Sequence, residues 1–354
     1  MFEPRTVASL LEPEFDEVID VRSPSEFAGD HVVDAVNLPV LSDEERSLVG
    51  RIYTGESRFR AKRIGAALVA RNIADHLEGH LAGKPGDFRP LVYCWRGGER
   101  SGAMAEVLGR VGWRVEILAG GYRSWRRLVG TLLYDTEFPA GIILLAGNTG
   151  VAKTPLLRQL AASGAQIIDL ESLAGHRGSL FGATGAGQPS QKGFESALAG
   201  CIDRLDPALP VVIEAESSRI GKCQIPPSLW RAMQEAPRIE LQASRETRVA
   251  NIMAEFSDLV GDPDRLKDAI QLLGPFHSRD RIASWLQLAT EQCFEELVGE
   301  LILHHYDPRY HRHQKRAGSD CLFPVELTSG SPDDIAMVAG QIVAQAGLCR
   351  PPVS

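Results

Sequence analysis

Short apolar runs bounded by turn residues recur along the chain and alternate with stretches whose apolar residues are spaced three and four apart. The runs read as buried strands and the spaced stretches as helices, and their alternation marks parallel sheets with crossover helices. In the first half the predicted strands are Glu17 to Val21, Leu91 to Cys94 and Val115 to Leu118. Between the first two lies Asp43 to Leu81, with Ile64, Leu68, Ile73 and Leu77 at helical spacing; it reads as a helical insertion over residues 43–83 of a small domain. In the second half Gly141 to Ala146 leads straight into a glycine turn. Val211 to Glu214 is a further strand ending in acid, and Ile335, Val338, Ile342 and Val343 mark a late helix. Both halves are therefore α/β. Phe138-Pro139-Ala140-Gly141 breaks one helical pattern before the next strand begins, which gives domains at 1–137 and 138–354, the second with a helical C-terminal part. There is no internal repeat, and Pro351 to Ser354 reads as a frayed end.

Composition adds limits. A chain of 354 residues, 44% of them hydrophobic, can fill two ordinary cores. A net charge of −8 does not by itself point to nucleic acid. Basic residues nevertheless gather in Arg51 to Arg63, Arg114 to Arg127 and Arg309 to Arg316, the last interleaved with Tyr310, His311 and His313. Taken singly, each run is a solvated face; together they suggest a basic stripe, with Arg123, Arg126, Arg127, Arg309 and Arg312 as candidate phosphate contacts. The six cysteines lie far apart, with no C-x-x-C pair and no histidine at zinc spacing, so neither a structural metal nor a disulfide framework is expected. No leader pattern follows Met1, and no stretch approaches the roughly 20 apolar residues of a membrane helix. The expected setting is a reducing cytoplasm.

Candidate chemistry begins at Tyr93-Cys94-Trp95-Arg96-Gly97-Gly98-Glu99-Arg100-Ser101, between an apolar strand and the helical run Ala103 to Leu108. A loop at a strand end and helix start aims several backbone N–H groups at one spot, and the helix dipole adds positive charge. Cys94 at the base would be held as thiolate by those amides and by Arg100, its pKa falling from about 8.5 towards roughly 3.5 to 7.5. The plainer reading is a buried apolar cysteine. Two arginines and the Gly97-Gly98 pair beside it favour function.

This spacing is similar to both the rhodanese domains and the Cys-x5-Arg phosphatases. Asp20-Val21-Arg22-Ser23-Pro24-Ser25-Glu26-Phe27, followed by His31, Ala35, Asn37 and Pro39, resembles the rhodanese entry signature and decides for that fold. The resemblance implies a cysteine that carries transferable sulfur or selenium.

A second candidate is Gly147-Asn148-Thr149-Gly150-Val151-Ala152-Lys153-Thr154, after an apolar strand and opening a helix, the context of a P-loop. Its amides would wrap a diphosphate, Lys153 would neutralise it, and Thr154 could reach Mg2+. Ala152 stands where the pattern has glycine; at positive φ alanine costs roughly 1 kcal/mol, and its methyl would crowd the phosphate. Diphosphate binding is thus expected rather than nucleotide turnover. Glu214 and Glu216, at the end of the strand from Val211, could orient a metal or water, or merely cap the strand.

A rhodanese-like domain followed by a P-loop domain resembles the tRNA 2-selenouridine synthase family. The resemblance runs from Asp20 through Arg248. It rests further on Asp169-Leu170-Glu171, His176-Arg177-Gly178-Ser179, Phe181-Gly182, Gln188-Pro189-Ser190-Gln191-Lys192, Phe194-Glu195, Glu214 through Gly221, and Ile225-Pro226. It implies an enzyme, a selenotransferase and prenyltransferase. Such an enzyme geranylates the sulfur of wobble 2-thiouridine with geranyl diphosphate and then replaces S-geranyl by selenium from selenophosphate. By that resemblance Cys94 and Arg100 are catalytic, with Trp95, Arg96, Gly97, Gly98, Glu99 and Ser101 as the anion loop. Gly147, Asn148, Thr149, Gly150, Lys153 and Thr154 bind the diphosphate. His176, Arg177, Gln188, Ser190, Gln191, Lys192, Glu214, Glu216 and Arg219 support. Geranyl diphosphate and selenophosphate are co-substrates rather than bound cofactors; the partners are the tRNA anticodon stem-loop and a selenophosphate synthase, and the chain is expected to be a monomer. Ala152, Ala215 and Ser218 depart from the family pattern and bear on the geranyl step. Two alternatives stay open: a Cys-x5-Arg phosphatase or arsenate-type reductase, and a rhodanese-like module regulating a degenerate NTPase.

Overall fold

The computed structural model of the chain describes residues 1–11, 14–178, 182, 187–314 and 320–349. Ser179, Phe181, Arg316 and the end Pro351 to Ser354 lie outside the described residues, as do the side chains of His311, Arg312 and His313. The chain divides into two compact units. One is Met1–Glu137 with Pro189–Arg204, the other Phe138–Gln188 with Leu205–Ser354.

The first unit is built on a parallel sheet of β1 (Glu17–Asp20), β2 (Val36–Asn37), β3 (Pro90–Tyr93) and β4 (Glu116–Ile117), in the order β2-β1-β3-β4. Every residue of β3 is buried, as its unbroken apolar run requires of a parallel strand covered on both faces. The insertion forms two helices, Asp43–Gly55 and Arg58–Glu78. Ser42 caps the first in a reciprocal box with Glu45, and Ser57 caps the second through the N–H of Arg60, which is why the helical pattern breaks between them. Ala61, Gly65 and Ile73 of the second helix are buried; Ile73 joins Ile19, Val92, Met104 and Leu108 in the core.

The helix Gln191–Asp203 belongs to this unit, although sequence order places it in the second domain. A partly buried polar network holds it. Trp125 Nε1 donates to Ser196 Oγ (3.0 Å), Tyr134 Oη donates to Glu195 Oε1 (2.7 Å), and Arg126 pairs with both Glu195 and Asp30. Arg126 is thus an internal ion-pair residue rather than a free phosphate contact, and its side chain is only 18% exposed. Arg123 and Arg127 are exposed. In the other unit, Arg309 lies over the Phe276 ring at 4.1 Å.

The second unit carries a five-stranded parallel sheet of β5 (Ile142–Gly147), β6 (Gln166–Ile168), β7 (Val211–Glu214), β10 (Arg238–Ala243) and β11 (Cys321–Leu327), in the order β11-β10-β5-β7-β6. A hairpin of β8 (Arg219–Ile220) and β9 (Cys223–Gln224) lies between β7 and β10 in the chain. Central β5 is buried at all six positions. The late helix is Pro332–Ala346, and its Ile335, Val338 and Ile342 pack into the core with Leu156, Leu157 and Leu160. A run of helices from Arg245 to Tyr306 forms a separate apolar cluster around Phe256, Ile270, Trp285 and Leu297. No helix among the described residues is long and apolar enough to cross a membrane.

Candidate active site

In the first unit β3 delivers Cys94 to the floor of a loop that turns directly into the helix Glu99–Val111. The thiol is 4% exposed. Gly98 donates its backbone N–H to Sγ at 3.3 Å, and Ser101 Oγ donates at the same distance. Burial alone raises a thiol pKa; the Ser101 hydroxyl and the N–H groups of Ser101, Arg96 and Gly98 outweigh it and hold Cys94 below its ordinary value. Cys94 is thus at once buried and lowered in pKa.

Arg100 departs from expectation. Its Nη1 donates to Glu26 Oε2 at 2.7 Å, and Glu26 is held below the usual carboxylate range: burial raises it, but Arg100, Ser23 and Arg46 outweigh that. The thiolate is thus stabilised by the hydroxyl and the amides, with Arg100 facing a carboxylate. Glu99 pairs with Lys62 (3.1 Å), while Trp95 and Arg96 are exposed.

The loop keeps its shape because a second glycine turn backs it. Tyr122 donates its N–H to Cys94 O at 2.8 Å, and a Cβ on Gly121 would come within 2.2 Å of that same oxygen. A Cβ on Gly97 (φ +68°) would meet Leu118 O at 2.6 Å. Below it, Asp20 and Arg22 form a buried ion pair at 2.6 Å, and the Arg22 guanidinium lies 4.0 Å from the Tyr122 ring centroid. The Asp-Val-Arg string of the sequence is thus a brace. Gly120, Gly121, Tyr122 and Glu26 were not singled out as site residues; the glycine pair ahead of a helical run was the available signal.

In the second unit β5 ends in Gly147, and the helix Lys153–Ala162 begins after the loop. Gly147 and Gly150 have φ of +147° and +88°, and Ala152 sits at φ 53°, ψ 40°, the left-handed region that costs an alanine roughly 1 kcal/mol. Lys153 Nζ donates to Gly147 O at 3.0 Å and Thr154 Oγ1 donates to Glu171 Oε2 at 3.1 Å. Two side chains from the helix Arg245–Glu255 pin the loop's carbonyls: Arg248 Nε donates to Thr149 O (2.8 Å) and Asn251 Nδ2 to Gly150 O (2.9 Å). Arg248 is buried and forks onto Asp307, which also accepts from Asn148 Nδ2. With these carbonyls occupied, the loop holds the curled shape that suits an anion.

Carboxylates gather beside Lys153. Glu171 donates its backbone N–H to Glu214 Oε1 at 2.8 Å. Burial, then the charges of Glu216 and Glu214, push Glu171 up to about 9. Burial, with Asp169 and Glu216 nearby, pushes Glu214 up to about 8, and burial raises Glu216 as well. Protonated carboxyls let an anion approach that a full set of negative charges would repel. Among the described residues, no group of three or more His, Cys, Asp or Glu is placed to hold a metal ion.

The remaining expected residues divide. His176 donates its N–H to Glu171 O, and burial lowers its imidazole pKa. Arg177 pairs with Asp258 at 2.9 Å. Gln188 ties three backbone groups together, donating to Ala174 O and Ile220 O and accepting from the N–H of Lys222, and Arg219 bonds Gly221 O in the β8–β9 hairpin. Ser190, Gln191 and Lys192 belong to the first unit, where Ser190 caps the helix Gln191–Asp203.

A four-stranded parallel unit with a thiolate cradle at the end of β3, and a five-stranded parallel unit with a curled phosphate loop after β5, define a rhodanese-like domain joined to a P-loop domain. Accordingly, residues 3–128 match the rhodanese-like domain family, and residues 140–269 match the family described as the tRNA 2-selenouridine synthase AAA domain. The chain is 33% identical to the tRNA 2-selenouridine synthase of Hahella chejuensis, over 83% of this chain and 80% of that protein. It is 33% identical to that of Bordetella petrii, over 89% and 80%, and 37% identical to that of Sulfurovum sp., over 68% and 65%. The chain belongs to the tRNA 2-selenouridine synthase family.

Proposed function

We propose that this protein acts on tRNA as a transferase that converts wobble 2-thiouridine to 2-selenouridine in two steps, one for each unit. In the first, the thione sulfur attacks C1 of geranyl diphosphate; the C–O bond breaks, diphosphate leaves into the loop from Gly147 to Thr154 with Lys153 as its counter-charge, and the base gives up its N3 proton to water. In the second, the selenium of selenophosphate attacks C2 of the base and the C–S bond breaks, geranylthiol leaving with a proton; water then cleaves the Se–P bond, releasing phosphate and 2-selenouridine, and Cys94 with its loop amides holds the selenophosphate anion.

The observation that carries this reading is Cys94: a thiol at a helix N-terminus, receiving hydrogen bonds from Gly98 and Ser101 and lowered in pKa despite burial. That environment suits a chalcogen nucleophile. It does not favour a phosphatase, which needs the arginine of the loop over its cysteine; Arg100 is engaged with Glu26 instead. The test is Cys94→Ser, followed by mass spectrometry of digested tRNA. Geranylated thiouridine should accumulate while selenouridine disappears, and a normal level of selenouridine would overturn the assignment.

A further inference from the structure

The helix Arg245–Glu255 touches the phosphate loop with one face. Arg248 and Asn251 bond loop carbonyls, and Ile252 stands next to them: a Cβ on Gly150 would lie 3.0 Å from Ile252 Cδ1. Ile252 is also part of the wall of an apolar pocket among the helices that follow, with Phe256, Leu259, Leu297, Val298 and Leu301. None of its lining residues is charged. Its rim includes the half-buried Val260, Phe294 and Tyr306. A packed interior leaves few voids, because a void forfeits dispersion contacts on its lining. An open apolar pocket sharing a wall residue with an anion loop therefore has the shape of a site for a ligand that is anionic at one end and hydrocarbon at the other.

We propose that this pocket seats the hydrocarbon chain of the ligand whose diphosphate lies on the phosphate loop, an inference that rests on the diphosphate reading given above. The pocket's volume is about 40 Å³, room for roughly three water-sized groups. The far end of a geranyl chain seats there, and the carbons nearer the diphosphate lie over Ile252. Each methylene withdrawn from water tightens binding by about fourfold, so three buried groups make geranyl diphosphate roughly 50-fold tighter than inorganic pyrophosphate.

The test is calorimetric titration of the full chain with geranyl diphosphate and, separately, with pyrophosphate. Val260→Trp fills the rim without touching the phosphate loop, and Phe294→Asp makes the rim polar; a thermal unfolding scan shows which of the two is folded. In either folded variant, geranyl diphosphate should weaken at least tenfold while pyrophosphate binding holds. Wild-type affinity for geranyl diphosphate in a folded rim variant overturns the pocket. If pyrophosphate fails to bind wild type, or binds Lys153→Ala equally well, the diphosphate reading falls, and the pocket proposal with it.

Discussion

Replacing Ser101 by alanine tests how the fold makes a thiolate. The substitution removes the hydroxyl that donates to Cys94 Sγ at 3.3 Å and leaves the amide of Gly98 in place. A hydrogen bond to a charged group contributes about 1.5–3 kcal/mol; this one is long and ends on sulfur, which puts it near the lower figure. At about 1.36 kcal/mol per pH unit, the Cys94 pKa should rise by about one unit. The thiolate present at a pH below both values then falls about tenfold. The assay is the rate of iodoacetamide alkylation against pH, read by mass spectrometry on the peptide that holds Cys94, because Cys293 and Cys321 are exposed and react as well. Since the folded pKa lies below the unfolded one, the thiolate's contribution to stability is present above the unfolded pKa and is lost as pH falls through the folded value; Ser101→Ala should diminish it. Arg100→Ala, whose guanidinium faces Glu26, should move the inflection by no more than a few tenths. An unmoved inflection in Ser101→Ala, or a large shift in Arg100→Ala, would refute the account of the cradle.

Three further outcomes follow from the second unit. Lys153→Ala should abolish formation of the geranyl intermediate, since it removes the cation of the phosphate loop; unimpaired geranylation in digested tRNA would end that assignment. Ala152→Gly should raise stability by a few tenths of a kcal/mol, up to about 0.6, because relief of a left-handed alanine worth roughly 1 kcal/mol is partly offset by the added chain entropy of glycine; a lower denaturation midpoint would contradict it. Glu214 has a folded pKa of about 8 against 4.5 for the free side chain, so its proton is held only in the fold. Stability should therefore decline as pH rises from about 4.5 to 8, and Glu214→Gln should flatten that decline in melting temperature; identical slopes would show that Glu214 is not the group responsible.

Both candidate loops were legible in the sequence because each is local. A strand, a glycine-bearing loop and a helix start follow one another in the chain, so Cys94 with Gly98 and Ser101, and Gly147 with Lys153 and Thr154, come together once those elements form. Strands β10 and β11 were not legible. Arg238 to Ala243 alternates polar and apolar residues, a half-buried strand pattern that a reading for unbroken apolar runs passes over, and Cys321 to Leu327 is an edge strand with Pro324 inside it, a residue that cannot donate to a ladder and argues against a strand when read alone. The grouping of Gln191 to Asp203 with the first unit was hidden for a similar reason: Glu195 and Ser196 read as polar helix positions until Trp125, Arg126 and Tyr134 supply their partners.

The sequence by itself determined the two candidate loops, their order and the family, because these depend on contiguous residue types and spacing. Tertiary structure alone decided what surrounds them. It turned Arg100 towards Glu26, brought Arg248 and Asn251 to the carbonyls of Thr149 and Gly150, and placed Ile252 between the phosphate loop and an apolar pocket. Those partners lie up to about a hundred residues apart, and pairing over such distances is settled by packing and burial, which no local pattern encodes.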